Sequence, residues 1–260
     1  MSERVLKFEA VENVRDYGDY ATAAGRRLAR GRLIRTAHHA KATDADLKRF
    51  GELGVSTVVD LRHPDERRRQ PSRRPEGWVG AVIESDVCEG EREAPHVTFL
   101  RTTDLTEESA RTYMTSAYRR IPFEARHLDL FRRYFRALAE ADGAVVIHCA
   151  AGKDRTGILA ALTHHVAGVS DADLMEDYLL TNRAVDLQGR APAIAARLER
   201  EFGRKASYEA VVAFLGVEEA FLQAAWNEIA TRFGSVDGYL EQALGIDADL
   251  RERLEARLCG

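Results

Sequence analysis

Cysteine is scarce. The 260 residues hold three, Cys88, Cys149 and Cys259. So few, so far apart, exclude a disulfide framework. No Cys-x-x-Cys is present and no cysteine–histidine pair stands at ligand spacing, so neither structural zinc nor any other metal or cofactor is expected. Long apolar runs are missing too, and no integral membrane association is expected. The opening residues, Met1 to Asp16, lack the apolar stretch of a signal peptide. A soluble protein of the reducing cytoplasm is the expectation, a setting in which a lone cysteine stays a thiol and can do chemistry. Excess positive charge is absent: 38 Lys+Arg against 42 Asp+Glu give a net charge of -4. That removes the basic footprint of a general nucleic-acid binder. Repeats and low-complexity linkers are also lacking, so residues 1–260 are read as one domain.

What is present is an alternation of β and α patterns. Short strands are expected at Gly31–Ile34, Val55–Leu61, Trp78–Ser85 and Gly143–His148. Thr43 with Asp46, and Ser170 with Asp173, have the spacing of helix N-terminal capping boxes. Glu107–Ala141 reads as helical with a break near Pro122, and Thr156–Ala167 as an apolar helix closed by Gly168. Further helices are expected at 191–202, 207–214 and 217–233, with two short ones over 236–258. His63–Pro75 holds five arginines and three prolines and reads as an exposed basic loop or a short broken helix. Arg15 and Asp16 read as a structural ion pair. The segment from about 89 to 106 has little periodicity and is read as a mobile loop or lid entrance. The fold expected is α/β: a small, mostly parallel central sheet flanked by helices, with a helical lid or insertion within 89–141 and a helical C-terminal region.

The informative stretch is Val145-Val-Ile-His-Cys-Ala-Ala-Gly-Lys-Asp-Arg-Thr-Gly157. A buried strand runs into a short loop, and the loop into a helix. Such a loop turns successive backbone N–H groups into one concavity, and the helix dipole adds positive potential. Cys149 at its base would be favoured as the thiolate by those amides and by Arg155. Arg155 offers a planar fork that matches two phosphate oxygens. Small residues at Ala150, Ala151 and Gly152 let an anion approach the backbone, and Lys153 adds a second positive charge. Thr156 is placed to help the thiolate leave, and His148 to hydrogen-bond and orient the loop. A nucleotide-binding P-loop is rejected, because Ile147 stands where that motif needs glycine and Asp154 where it needs Ser or Thr. The chemistry this spells is a nucleophile beneath a phosphate cradle.

His148-Cys149-x5-Arg155-Thr156 resembles the signature of the cysteine-based protein tyrosine phosphatase superfamily. The fuller HCAAGKDRTG resembles its bacterial HCxxGKDRTG branch. Asn13-Val-Arg-Asp16, Gly31-Arg-Leu-Ile-Arg35, Val59-Asp-Leu-Arg62, Asp177-Tyr-Leu-Leu-Thr-Asn182 and Gly234-Ser-Val-Asp-Gly-Tyr-Leu240 resemble that branch as well. Asp19, where the branch often has a second glycine, His38-His39 and His63-Pro64 depart from it. The resemblance implies a tyrosine-phosphatase-like fold and a phosphomonoester hydrolase acting through a cysteinyl-phosphate intermediate.

The leaving oxygen needs a proton. No Trp-Pro-Asp tripeptide is present. The resemblance to phosphoinositide phosphatases favours Asp154, inside the loop. Asp60, at the C-terminal end of a predicted strand, comes second, with capping or pairing with Arg62 as its alternative role; Asp86 is third. The partner expected is a phosphorylated substrate: a phosphotyrosine protein, a phosphoinositide, or a small phosphometabolite such as a nucleotide or sugar monophosphate. A catalytically silent phosphate-binding module is the reading from another class.

Overall fold

The run Ala144-Val-Val-Ile-His148 is apolar on both sides of the pleat, which suits a strand covered on both faces. In the computed structural model, which describes residues 4–88 and 95–259, it is the middle strand of a five-stranded sheet. In chain order the strands are β1 (Arg15–Asp16), β2 (Leu33–Thr36), β3 (Val55–Asp60), β4 (Ala81–Ile83) and β5 (Ala144–His148). Their order across the sheet is β1-β2-β5-β3-β4. β2, β5, β3 and β4 are parallel neighbours, and β1 is antiparallel to β2. The register brings Thr36, His148 and Asp60 side by side at the C-terminal edge, the edge where parallel sheets build their sites.

Alternate residues feed two cores. Leu33, Val59, Val145 and Ile147 pack with α5 (Ala125–Glu140), α6 (Asp154–Val166) and the C-terminal helices α10 (Glu219–Phe233), α11 (Val236–Gln242) and α12 (Ala248–Cys259). Ile34, Val58, Ala144 and Val146 pack on the other face with Leu47 and Phe50 of α1 (Asp44–Glu52). A third cluster joins α3 (Pro95–Thr102), α4 (Glu107–Arg120), α8 (Leu187–Phe202) and α9 (Tyr208–Leu215) beside the sheet. The remaining helices are α2 (Pro64–Arg69) and α7 (Asp171–Ala184).

Local signals set the helix boundaries. Thr43 and Asp46 form the reciprocal capping box ahead of α1, and the Ser170 hydroxyl accepts from the Asp173 amide ahead of α7. Pro122 sits in a 3-10 turn, Ile121–Phe123, between α4 and α5.

Four expectations are corrected. The Trp78–Ser85 strand shrinks to Ala81–Ile83; the Trp78 indole donates to Val55 O, and Val79 is 98% exposed. The basic stretch is not among them: it takes the second of its two readings, a short helix, α2, capped by His63 and Glu66. Arg15 does not pair with Asp16. Its guanidinium meets Asp177 at 3.0 Å, while Asp16 accepts from the amides of Gly18 and Gly31. Of the segment read as a mobile loop, 89–94 lies outside the described residues, and Pro95–Thr102 is helix. Within the stretch read as a lid, α5 belongs to the core: Leu130, Phe131, Tyr134, Phe135 and Leu138 are fully buried.

Candidate active site

β5 ends at His148, and the chain turns through residues 149–153 into the first turn of α6. Gly152 makes the turn with φ +68°, and a Cβ there would lie 2.3 Å from Thr36 O, so only glycine fits.

The carbonyls of this loop all have partners on its outer side. Cys149 O faces the His148 Nδ1 at 3.2 Å, and Ala150 O accepts from the His38 amide at 3.1 Å. The Asn13 side-chain amide donates to Ala151 O (3.1 Å) and Gly152 O (2.9 Å). Arg35 donates to Gly152 O (3.0 Å) and Lys153 O (3.4 Å). Peptide planes fixed by their carbonyls turn their N–H groups the other way. The amides of residues 150–155 have no acceptor among the described residues. A run of unpaired amides has the chemistry to hold an anion.

Behind the loop lies a buried ionic cluster. Asp177 accepts from Arg15 (3.0 Å) and Arg35 (2.7 Å), and Arg15 also donates to the Thr181 hydroxyl. Burial works to raise the Asp177 carboxyl, but the two arginines hold it well below the usual carboxylate range.

Cys149, 2% exposed, sits at the floor of a cavity of about 250 Å³. Ala150, Ala151, Lys153, Asp154 and Arg155 border the same cavity. Its walls combine an apolar set, Tyr113, Met114 and Ala117 of α4, Ile121, and Phe214 and Leu215 of α9, with the polar His63, His96, Arg120, Glu124, Arg126 and His127. Gly152, His148 and Thr156 are not among the residues that line it. The Thr156 hydroxyl is buried with no hydrogen-bond partner among the described residues. Lys153 is turned differently from the expectation. Its ammonium donates to Phe214 O (2.6 Å) and Gly216 O (3.3 Å), carbonyls at the end of α9, and lies 3.2 Å from Asp154 Oδ1.

Arg155 is held from one side. Nη1 and Nη2 donate to the two oxygens of Glu66 at 2.6 and 3.0 Å, and Nη1 also reaches Leu61 O at 3.3 Å. A guanidinium has five N–H bonds. The two left over, on Nε and Nη2, lie along one edge, a fork whose geometry matches two oxygens of an oxyanion. Partial burial would raise the Glu66 carboxyl, yet Arg155 carries it well below the usual range. It therefore stays anionic and keeps hold of Arg155.

A match to the family model of the tyrosine phosphatase family spans residues 6–260. The chain belongs to the tyrosine phosphatase family. It is similar to a candidate tyrosine-protein phosphatase of Cupriavidus necator, with 34% identity over 95% of this chain and 86% of that one. The triple specificity protein phosphatase PtpB of Mycobacterium tuberculosis is 31% identical, over 95% of this chain and 96% of its own. A tyrosine-protein phosphatase of Nostoc commune is 28% identical, over 87% and 74%. The chain is a phosphatase. No helix among the described residues is long and apolar enough to cross a membrane.

The other two aspartates stand apart from the phosphatase cavity. Asp60 is 1% exposed and clamped by Arg62, whose Nε and Nη2 donate at 2.9 and 2.7 Å. It borders a separate groove with Arg62 and Arg67, as does Asp86, which pairs with Arg67. Burial would raise the Asp60 carboxyl, but His148 and Arg62 outweigh it and set it at about 2. Glu66, Asn13 and Asp177 were not among the expected site residues. Glu66 three residues after His63 is a capping-box signal, but nothing in its spacing points at Arg155.

Buried histidines give this phosphatase a pH signature. Burial pushes His148 down from 6.5 to about 4, and His39 and His127 well below 6.5. Below pH 6.5 the unfolded chain takes up these protons and the folded one refuses them, so stability present at neutral pH is lost as pH falls towards 4. Each such histidine contributes a slope of about 1.4 kcal/mol per pH unit across its window. The melting temperature should hold above pH 7 and drop steeply from pH 6.5 to 4.5, before the depressed carboxylates protonate. A scan by calorimetry with the same melting temperature at pH 7.5 and 5.0 would contradict this.

Proposed function

We propose that this phosphatase hydrolyses phosphomonoesters through a cysteinyl-phosphate intermediate. The observation that carries it is that Cys149, Ala150, Ala151, Lys153, Asp154 and Arg155 border one cavity, with unpaired amides over 150–155 and one edge of Arg155 left over by Glu66. The substrate phosphate seats on the loop. Cys149 Sγ attacks phosphorus in line, the bond to the leaving oxygen breaks, and Asp154 protonates that oxygen. Water then attacks the cysteinyl phosphate, with Asp154 taking its proton. The amides and Arg155 hold the charge of the transferring group throughout, the task a metal performs elsewhere. Asp154 is preferred over Asp60 and Asp86 because it alone of the three borders the cavity. Asp60 is assigned to the base of the site, 3.6 Å from His148 Nε2.

Phosphotyrosine in proteins is the favoured substrate. Tyr113, Met114, Ala117, Ile121, Phe214 and Leu215 make an apolar slot suited to an aromatic ring. Residues 1–260 act as one phosphatase domain, and three free thiols suit a reducing cytoplasm. Steady-state hydrolysis in EDTA and reductant should give kcat/KM for phosphotyrosine peptides about 100-fold or more above nucleotide and sugar monophosphates, in line with a site whose binding energy is mainly apolar. A preference for a sugar or nucleotide phosphate would overturn the substrate assignment. Failure to find phosphate on the Cys149 peptide after rapid quenching would overturn the intermediate.

A further inference from the structure

Asp154 is reached by a chain of hydroxyls that the phosphate cradle does not explain. The Tyr118 hydroxyl of α4 donates to Asp154 Oδ1 at 3.0 Å, and the Tyr178 hydroxyl of α7 donates to the Tyr118 oxygen at 2.7 Å. Tyr118 and Tyr178 are 0% and 1% exposed. Burial pushes both phenols well above their ordinary value of 10, so both stay protonated at any working pH. Each phenol has one O–H bond to give. Since Tyr118 gives its own to Asp154, the direction of the chain is fixed towards the carboxyl group. Lys153 lies on the same oxygen at 3.2 Å. Oδ1 is thus occupied by two donors, while Oδ2 has no partner among the described residues in a side chain that borders the cavity.

We infer that Tyr118, backed by Tyr178, is a positioning residue for acid catalysis by Asp154, assigning the transferable proton to Oδ2 and stabilising the carboxylate that forms. The inference rests on the reading of Asp154 as the acid. As the bond from phosphorus to the leaving oxygen breaks, its electron pair goes to that oxygen, which takes the proton from Oδ2. The negative charge left on Asp154 is shared with Oδ1, where the Tyr118 hydrogen bond changes from one to a neutral acid into one to an anion. Hydrogen bonds to ionised acceptors are shorter and stronger. The Tyr118 contact therefore strengthens in the transition state, which is the condition for raising the rate rather than merely binding substrate. In the second step the same geometry leaves Oδ2 free to take the proton of the attacking water.

The test is the dependence of kcat/KM on the leaving group, across phosphate esters from nitrophenol, which leaves unaided, to alkyl alcohols, which need a proton. Tyr118→Phe should lower kcat/KM about tenfold for alkyl esters, the size of one hydrogen bond to a charged group, with little change for the nitrophenyl ester. Tyr178→Phe should show the same pattern at smaller size. In an Asp154→Asn background, Tyr118→Phe should add nothing further on this leaving-group dependence. The inhibition constant for inorganic phosphate and the melting temperature report on whether the loop and fold persist. An equal loss for every ester, no loss at all, or full additivity with Asp154→Asn would overturn the inference. If Asp154→Asn itself does not steepen the leaving-group dependence, the acid reading falls and this inference with it. If Asp154→Asn steepens it and Tyr118→Phe does not, only the role of Tyr118 is lost.

Discussion

Cys149→Ser is expected to lower kcat by on the order of 10⁴-fold or more while inorganic phosphate still binds. A thiol ionises within reach of neutral pH and a serine hydroxyl does not, so the serine needs a general base. Asp154 is read as the protonated acid in this step, so it does not serve. The neighbouring His148 points Nδ1 at the Cys149 carbonyl, and its Nε2 lies on the Asp60 side. The proposed phosphate site is made of backbone amides and Arg155, which the substitution leaves alone. The two side chains are nearly the same size, so the cavity floor and the melting temperature should hardly change. Steady-state assays with a phosphotyrosine peptide, together with calorimetric titration of phosphate, separate the two claims. Turnover within tenfold of the unmodified enzyme would exclude Cys149 as the nucleophile. Loss of phosphate affinity with intact folding would show instead that the sulfur, not the amides, holds the anion.

Asp177→Asn is expected to cost about 3–5 kcal/mol of stability, the usual penalty for removing one partner of a buried ion pair. The side chains of Arg15 and Arg35 are fully buried, and Asp177 is the acidic side chain paired with both. The asparagine keeps the shape but leaves two cations uncompensated in a low dielectric. A chain of this size loses roughly 2–4 °C for each kcal/mol, so a drop of about 10 °C is the expected reading in a thermal melt. Phosphate affinity should fall as well, because Arg35 also holds the carbonyls of Gly152 and Lys153. Glu176→Gln, one residue earlier and exposed, is the control and should leave both quantities in place. A melting temperature for Asp177→Asn within 2 °C of the control would mean that the arginines find other partners.

Much of the site was legible because the signature is contiguous. Cys149 and Arg155 are fixed relative to one another by one loop entering one helix, and the loop's shape follows from Gly152 and from the strand before it. The capped starts of α1 and α7, and the break at Pro122, were legible for the same reason: a cap or a proline acts within a turn of where it stands. The β-branched runs marked β3 and β5. The strand read over Trp78–Ser85 was overextended because apolar residues at a sheet edge look like those inside one. Val79 points to solvent and only three residues pair.

The sequence by itself thus determined the turn after β5, the helix that follows it and the strands that carry them. Tertiary structure decided which charge meets which. Asp60 and Asp154 are both aspartates near a strand end or loop, and only the seating of β3 beside β5 shows that one lies clamped by Arg62 while the other borders the cavity. Arg15 could be read against its neighbour Asp16, yet its partner is 162 residues away. Glu66 serves its own helix as a cap and Arg155 as a clamp, and only the second role needs the fold. The reason is range. Backbone conformation is set by sterics and hydrogen bonds among near neighbours, so it leaves a trace in the local pattern. A buried charge takes as partner whatever the packed chain brings within about 3 Å, where desolvation makes the pairing strong, and that neighbour is chosen by the order of the strands across the sheet.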